Sequence, residues 1–131
     1  IAMYDYGNND MALLVFTASG TSFSSSTWFR SGSNNWGVPY TKFVTSGDYN
    51  NDGYYDIATM YDYGNNDMAI IVFTKTGNSF ISSTWFRSGP YNWGVPYTKF
   101  VINGDFDGNS LDELSAFYDY GTKDLGIIIF R

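Results

Sequence analysis

The chain repeats itself, and that repetition narrows its folding options more than any other feature. Met3-Tyr4-Asp5-Tyr6-Gly7-Asn8-Asn9-Asp10-Met11-Ala12 returns as Met60 to Ala69, 57 positions later. At the same interval Thr27 to Gly32 returns as Thr84 to Gly89, and Asn35 to Val44 as Asn92 to Val101. A third round opens at Tyr118-Asp119-Tyr120-Gly121. Such a repeat decides the fold before any single segment does.

The local pattern within a repeat points to strands. Ile57 to Tyr63, Ala69 to Thr74, Thr84 to Arg87 and Tyr97 to Ile102 are short runs of β-branched, aromatic and apolar residues separated by Gly, Asn and Ser. No window carries an apolar period of 3.6 residues, which disfavours helical repeats, and a β-solenoid would need a shorter period. Aromatic residues make up 21% of the chain and glycine occurs 14 times, a composition that suits many short strands joined by tight turns. Four strands per repeat predicts an all-β fold of β-propeller blades, each of four antiparallel strands. The corresponding divisions are a blade over 1–47, a loop over 48–56, a blade over 57–104, a loop over 105–113 and a partial blade over 114–131.

The two loops carry the most specific chemistry. In Gly47-Asp48-Tyr49-Asn50-Asn51-Asp52-Gly53-Tyr54-Tyr55-Asp56, oxygen-bearing side chains stand at Asp48, Asn50, Asp52 and Asp56, and the Tyr54 carbonyl can supply another oxygen. The second loop, Gly104 to Glu113, offers Asp105, Asp107, Asn109, the Leu111 carbonyl and Glu113. Alternate residues converge on one point when the chain winds tightly, and Gly53 permits the sharp turn where the second loop has Ser110. Oxygen donors at this density suit Ca²⁺. The plainer reading is that Asp, Asn and Gly make good turns. Against it, the oxygen positions recur in both loops, and unneutralised carboxylates packed together would repel one another.

The pattern Gly-Asp-x-Asn-x-Asp-Gly-x-x-Asp-Ile-Ala resembles the FG-GAP/VCBS repeat of integrin α-subunit heads and secreted bacterial proteins. The resemblance implies a calcium-binding propeller of seven blades or more, with the metal loop leading into the innermost strand of each blade. This chain holds too few strands for such a ring, so further blades are expected from a longer chain or from other copies. Ser-Gly-x-x-Asn-Trp-Gly is similar to a segment of fungal and bacterial propeller lectins, which implies carbohydrate sites near the surface between blades. The candidate sugar-binding residues are the recurring aromatics Trp36, Tyr40, Trp93 and Tyr97, with Arg30 and Arg87 as donors. Rings beside an arginine make a sugar platform, but aromatics repeated in every unit also serve as packing between units.

Several function classes are disfavoured. A net charge of −6 argues against nucleic acid and anionic membrane surfaces as partners. Neither histidine nor cysteine is present, no nucleophile elbow or phosphate loop occurs, and no apolar stretch approaches a membrane span. A non-enzymatic, extracellular, calcium-stabilised module that binds glycans is the expectation, and a protein–protein adhesion module that binds a surface protein is the alternative.

Overall fold

A computed structural model describes residues 1–131. Ten strands follow one another: β1 (Ala2–Asp5), β2 (Met11–Ser19), β3 (Ser22–Arg30), β4 (Thr41–Gly47), β5 (Asp56–Gly64), β6 (Asp67–Thr76), β7 (Ser79–Arg87), β8 (Thr98–Gly104), β9 (Glu113–Gly121) and β10 (Asp124–Phe130). Short 3-10 turns at Val38–Tyr40 and Val95–Tyr97 lead into β4 and β8. In each, a proline fixes φ at a value that a helical turn accepts.

The hairpins follow from their turn residues. Asn65 and Asn66, between β5 and β6, both adopt left-handed backbone, with φ of 51° and 54°. That is the two-residue turn whose twist matches paired strands, and asparagine tolerates it better than most residues. Thr122 and Lys123 hold the same conformation between β9 and β10. The aspartate before each turn braces it. Asp5, Asp62 and Asp119 each accept a hydrogen bond from the N–H two residues on, all at 2.8 Å.

All pairing is antiparallel, in the orders β1-β2-β3, β4-β5-β6-β7 and β10-β9-β8. Asp56 stands opposite Gly47, and Glu113 opposite Gly104. Each acidic loop therefore closes directly onto the first residue of the strand that follows it. The chain divides into two compact units, one of Ile1–Tyr40 with Lys75–Ile81, the other of Thr41–Thr74 with Ser82–Arg131. The second unit holds the principal core, in which Met60, Met68, Ile70 and Val72 meet Trp93, Val95, Leu114 and Ala116.

This architecture corrects the expectation of a β-propeller. The sheets are separate, with three, four and three strands, and none is closed into a ring or repeats at 57-residue intervals as a four-stranded blade. The reason lies in the pairing. β4 lies in the first sequence repeat but hydrogen-bonds to β5 of the second, so sheets and sequence repeats are out of phase. Only one sheet acquires a fourth strand, and β3, β7 and β10 are left as edges.

Candidate functional site

The loop between β8 and β9 gathers three carboxylates. Oxygens of Asp105, Asp107 and Glu113 lie within 4.8 Å of one another; the two aspartates are exposed and Glu113 is buried. Backbone winding produces this convergence. Asp105 accepts N–H bonds from Gly108 (2.6 Å), Asn109 (3.0 Å) and Ser110 (3.0 Å), so the chain wraps around its carboxylate. Asp107 accepts from the Asn109 N–H, the Asn109 side-chain oxygen from the Leu111 N–H, and Glu113 from the Phe106 N–H. Gly108 and Ser110 both take left-handed φ, 78° and 71°, which turns alternate side chains to one side.

No lysine or arginine pairs with this cluster. A carboxylate offers about four lone-pair directions. Asp105 uses three on backbone N–H groups, whereas Asp107 and Glu113 use one each, so acceptor capacity remains for a cation. Ca²⁺ holds its oxygens at about 2.3–2.6 Å, so oxygens on one ion lie within about 5 Å of each other. The separation of 4.8 Å meets that condition. The residues can therefore coordinate a divalent cation.

The loop between β4 and β5 winds the same way but does not bring three carboxylates together. Asp48 accepts from the Asp52 and Gly53 N–H groups, Asn50 from Asp52, and Asp52 from Tyr54. Asn50 also donates its amide to Asp52 at 3.1 Å. Asp56 is fully buried at the start of β5, and no acidic triple forms among Asp48, Asp52 and Asp56. The left-handed positions are equivalent in the two loops, Asn51 and Gly53 here against Gly108 and Ser110 there.

Asp112 fills a position that the sequence reading left without a role. Its carboxylate accepts the Asp48 N–H at 2.9 Å, and its own N–H donates to the Asp48 carbonyl at 2.9 Å. The two loops are thereby fastened together. The available signal was an acid at Asp112 where the first loop has Tyr55, which is 71% exposed. Beneath this junction Tyr49 is buried, and burial raises the pKa of its phenol, so it stays protonated at neutral pH.

Gly47 makes the junction possible. A Cβ there would stand 2.5 Å from the Asp112 carboxylate and 2.9 Å from its Cβ. At Gly104, the equivalent position, an added Cβ meets only the Phe106 ring at 3.5 Å, which is ordinary contact. Gly47→Ala is expected to push Asp112 off Asp48 and cost about 1–3 kcal/mol, while Gly104→Ala costs less than about 0.5 kcal/mol. Parallel denaturant unfolding of the two variants checks the difference.

The residues named for sugar binding lie partly in the core and partly at the surface. Trp36 and Trp93 are 7% and 8% exposed. Trp93 donates its indole N–H to Thr98 at 3.0 Å, and its ring packs on Tyr118 and Phe130. Tyr40 and Tyr97 are about half exposed, and each ring lies on a glycine, Gly37 and Gly94 respectively. Arg30 forks onto Asp10 and stacks over Tyr6 at 4.3 Å; Arg87 repeats the arrangement on Asp67 and Tyr63, at 4.1 Å. Arg30 holds the Asp10 carboxyl below its usual range, mainly by hydrogen bonding.

No family model, no curated protein and no solved structure matches this chain. With three unclosed sheets, that result overturns the resemblance to FG-GAP/VCBS repeats. The glycan-binding and adhesion readings drawn from it fall with it. What stands is an all-β chain with an Asp105–Asp107–Glu113 cluster suited to a divalent cation.

Proposed function

We propose that the loop from Asp105 to Glu113 binds a divalent cation and that the ion is calcium. The convergence of three carboxylates within 4.8 Å, with no cationic side chain on them, carries this reading. Asn109 and the Leu111 carbonyl are the neutral oxygens that the loop adds to the donor set. Calcium accepts six to eight oxygens in flexible geometry, which suits a set drawn from one short loop. Magnesium requires a near-ideal octahedron with bonds of about 2.0–2.1 Å and gives up its waters reluctantly.

The ion's effect is to join Asp105, at the loop's beginning, to Glu113, the first residue of β9. It neutralises charge that the loop otherwise concentrates, and it fixes the strand start opposite Gly104. This is a binding and ordering role with no substrate chemistry. Exposed calcium loops of this kind bind at about 10⁻⁴–10⁻³ M in extracellular modules, so we place the protein outside the cell, where the ion is abundant.

Calorimetric titration of the metal-free chain with Ca²⁺, and separately with Mg²⁺, tests the proposal. Saturable binding of one Ca²⁺ per chain, with Mg²⁺ a weak competitor, is the expected result. Absence of saturable Ca²⁺ binding at millimolar concentrations overturns it. Equal affinity for both ions overturns the choice of calcium.

A further inference from the structure

Asp112 stands between two members of the donor set, the Leu111 carbonyl and Glu113, yet its own carboxylate lies outside the Asp105–Asp107–Glu113 cluster. That carboxylate accepts the Asp48 N–H, and the Asp112 N–H donates to the Asp48 carbonyl, both at 2.9 Å. Asp48 follows β4, which belongs to the sheet β4-β5-β6-β7, whereas Asp112 leads into β9 of the sheet β10-β9-β8. The paired bonds therefore tie the far end of the acidic loop to the backbone of a different sheet. Both loops lie in the second compact unit.

The anchor is firm. Tyr49, next to Asp48, is buried in the principal core, which fixes the backbone that Asp112 grips. A second bond runs alongside, from the Thr45 hydroxyl on β4 to the Asn103 side-chain oxygen on β8, at 2.6 Å. Gly47 leaves free the space into which the Asp112 carboxylate fits. The near end of the acidic loop needs no such help, because Asp105 is wrapped by the N–H groups of Gly108, Asn109 and Ser110. In the loop between β4 and β5 the position of Asp112 is taken by Tyr55, which has no carboxylate to reach a neighbouring backbone. That loop winds in the same way but does not gather its acids. The tether and the converged carboxylates thus occur together.

We propose that Asp112 is a positioning residue for the cation: by gripping the Asp48 backbone it holds the Leu111 carbonyl and Glu113 where an ion on Asp105 and Asp107 meets them. The inference rests on the reading of the Asp105 to Glu113 loop as a calcium site. Groups that touch no metal but hold its ligands contribute to affinity because the ligands are then ordered before the ion arrives. Coupling of this kind is reciprocal, so the bound ion also steadies the grip on Asp48. The grip uses the Asp48 N–H and carbonyl, and Asp48→Asn leaves it whole.

Calorimetry of the metal-free chain with Ca²⁺ alone tests the assignment, at a temperature where circular dichroism shows each variant folded. Asp112→Ala should bind about tenfold more weakly than the parent, the lower end of what loss of a ligand-orienting partner costs. Asp112→Asn keeps an oxygen for the Asp48 N–H and should stay within about threefold, the weakening that a lost charge several ångströms from the ion accounts for. Gly47→Ala leaves Asp112 in the chain but displaces it, and should weaken binding as Asp112→Ala does, so the test survives if Asp112→Ala does not fold. In the parent, Ca²⁺ should also slow hydrogen exchange of the Asp48 amide, and Glu113→Gln should remove that response. Calcium binding that is unchanged in Asp112→Ala and Gly47→Ala overturns the positioning role and leaves the calcium site standing. Equal weakening in Asp112→Asn and Asp112→Ala overturns it as well, because the charge of Asp112 and not its grip would then act on the ion. An Asp48 amide indifferent to Ca²⁺ in a parent chain that binds the ion overturns the coupling. A parent chain that binds no Ca²⁺ overturns the calcium reading itself, and this inference with it.

Discussion

Phe73→Ala is expected to destabilise the protein by about 3–5 kcal/mol, and Phe16→Ala by less than about 1 kcal/mol. The two phenylalanines hold the same position in successive repeats, in β2 and β6. Phe73 is fully buried and lies opposite Ile57, whereas Phe16 is 46% exposed and lies opposite Ser25. Truncating Phe73 removes a large transfer contribution and leaves a cavity that strands fixed by hydrogen bonds cannot collapse to fill. Phe16 loses only partial burial, and water occupies the vacated space. For a chain of this size the difference is on the order of 10 °C or more in melting midpoint. Thermal unfolding of both variants beside the parent chain measures it, and equal losses would mean that the sheets bury their faces differently from the structure.

That pair shows what a sequence can and cannot specify here. Strand positions were legible because short β-branched and aromatic runs alternate with Gly and Asn. The expected runs Ile57 to Tyr63, Ala69 to Thr74 and Tyr97 to Ile102 lie almost wholly within β5, β6 and β8. The breaks between strands were visible as Gly, Asn and Ser, but the left-handed pair Thr122-Lys123 between β9 and β10 carried no such signal. Sheet composition was not legible. Identical residues at Phe16 and Phe73 differ completely in burial, because burial depends on what faces each sheet and the local pattern carries no record of that. The ring expectation failed on this point: repetition shows that units are alike, not that they close. The acidic loops fall between these cases. Their oxygen spacing was visible, but the second loop brings its carboxylates together and the first does not. A Gly at the sixth loop position proved a poor guide, because Ser110 adopts the same left-handed conformation there as Gly53. Asp112 escaped notice because its partner, Asp48, is 64 residues away.

Calcium at a hundred times its dissociation constant should stabilise the chain by about 2.7 kcal/mol, a rise in melting midpoint on the order of 10 °C that excess chelator reverses. Only an ion bound to the folded state can produce this, because the unfolded chain separates Asp105 from Glu113 and loses the site. Glu113→Gln isolates the ligand charge. The glutamine can still accept the Phe106 N–H, so the loop keeps that bond while the cluster loses a negative ligand. The variant should fold, and its calcium-dependent rise should shrink to less than about 2 °C at the same ion concentration. In the metal-free form it should be no less stable than the parent, because removing one of three adjacent like charges relieves repulsion. Asp48→Asn serves as the counterpart in the other loop and should leave the calcium-dependent rise intact. If Asp48→Asn abolishes the rise and Glu113→Gln does not, the ion sits between β4 and β5, and the Asp105–Asp107–Glu113 cluster is held by its backbone N–H bonds alone. If both variants keep the full rise, calcium acts elsewhere on the surface, and neither loop is a metal site.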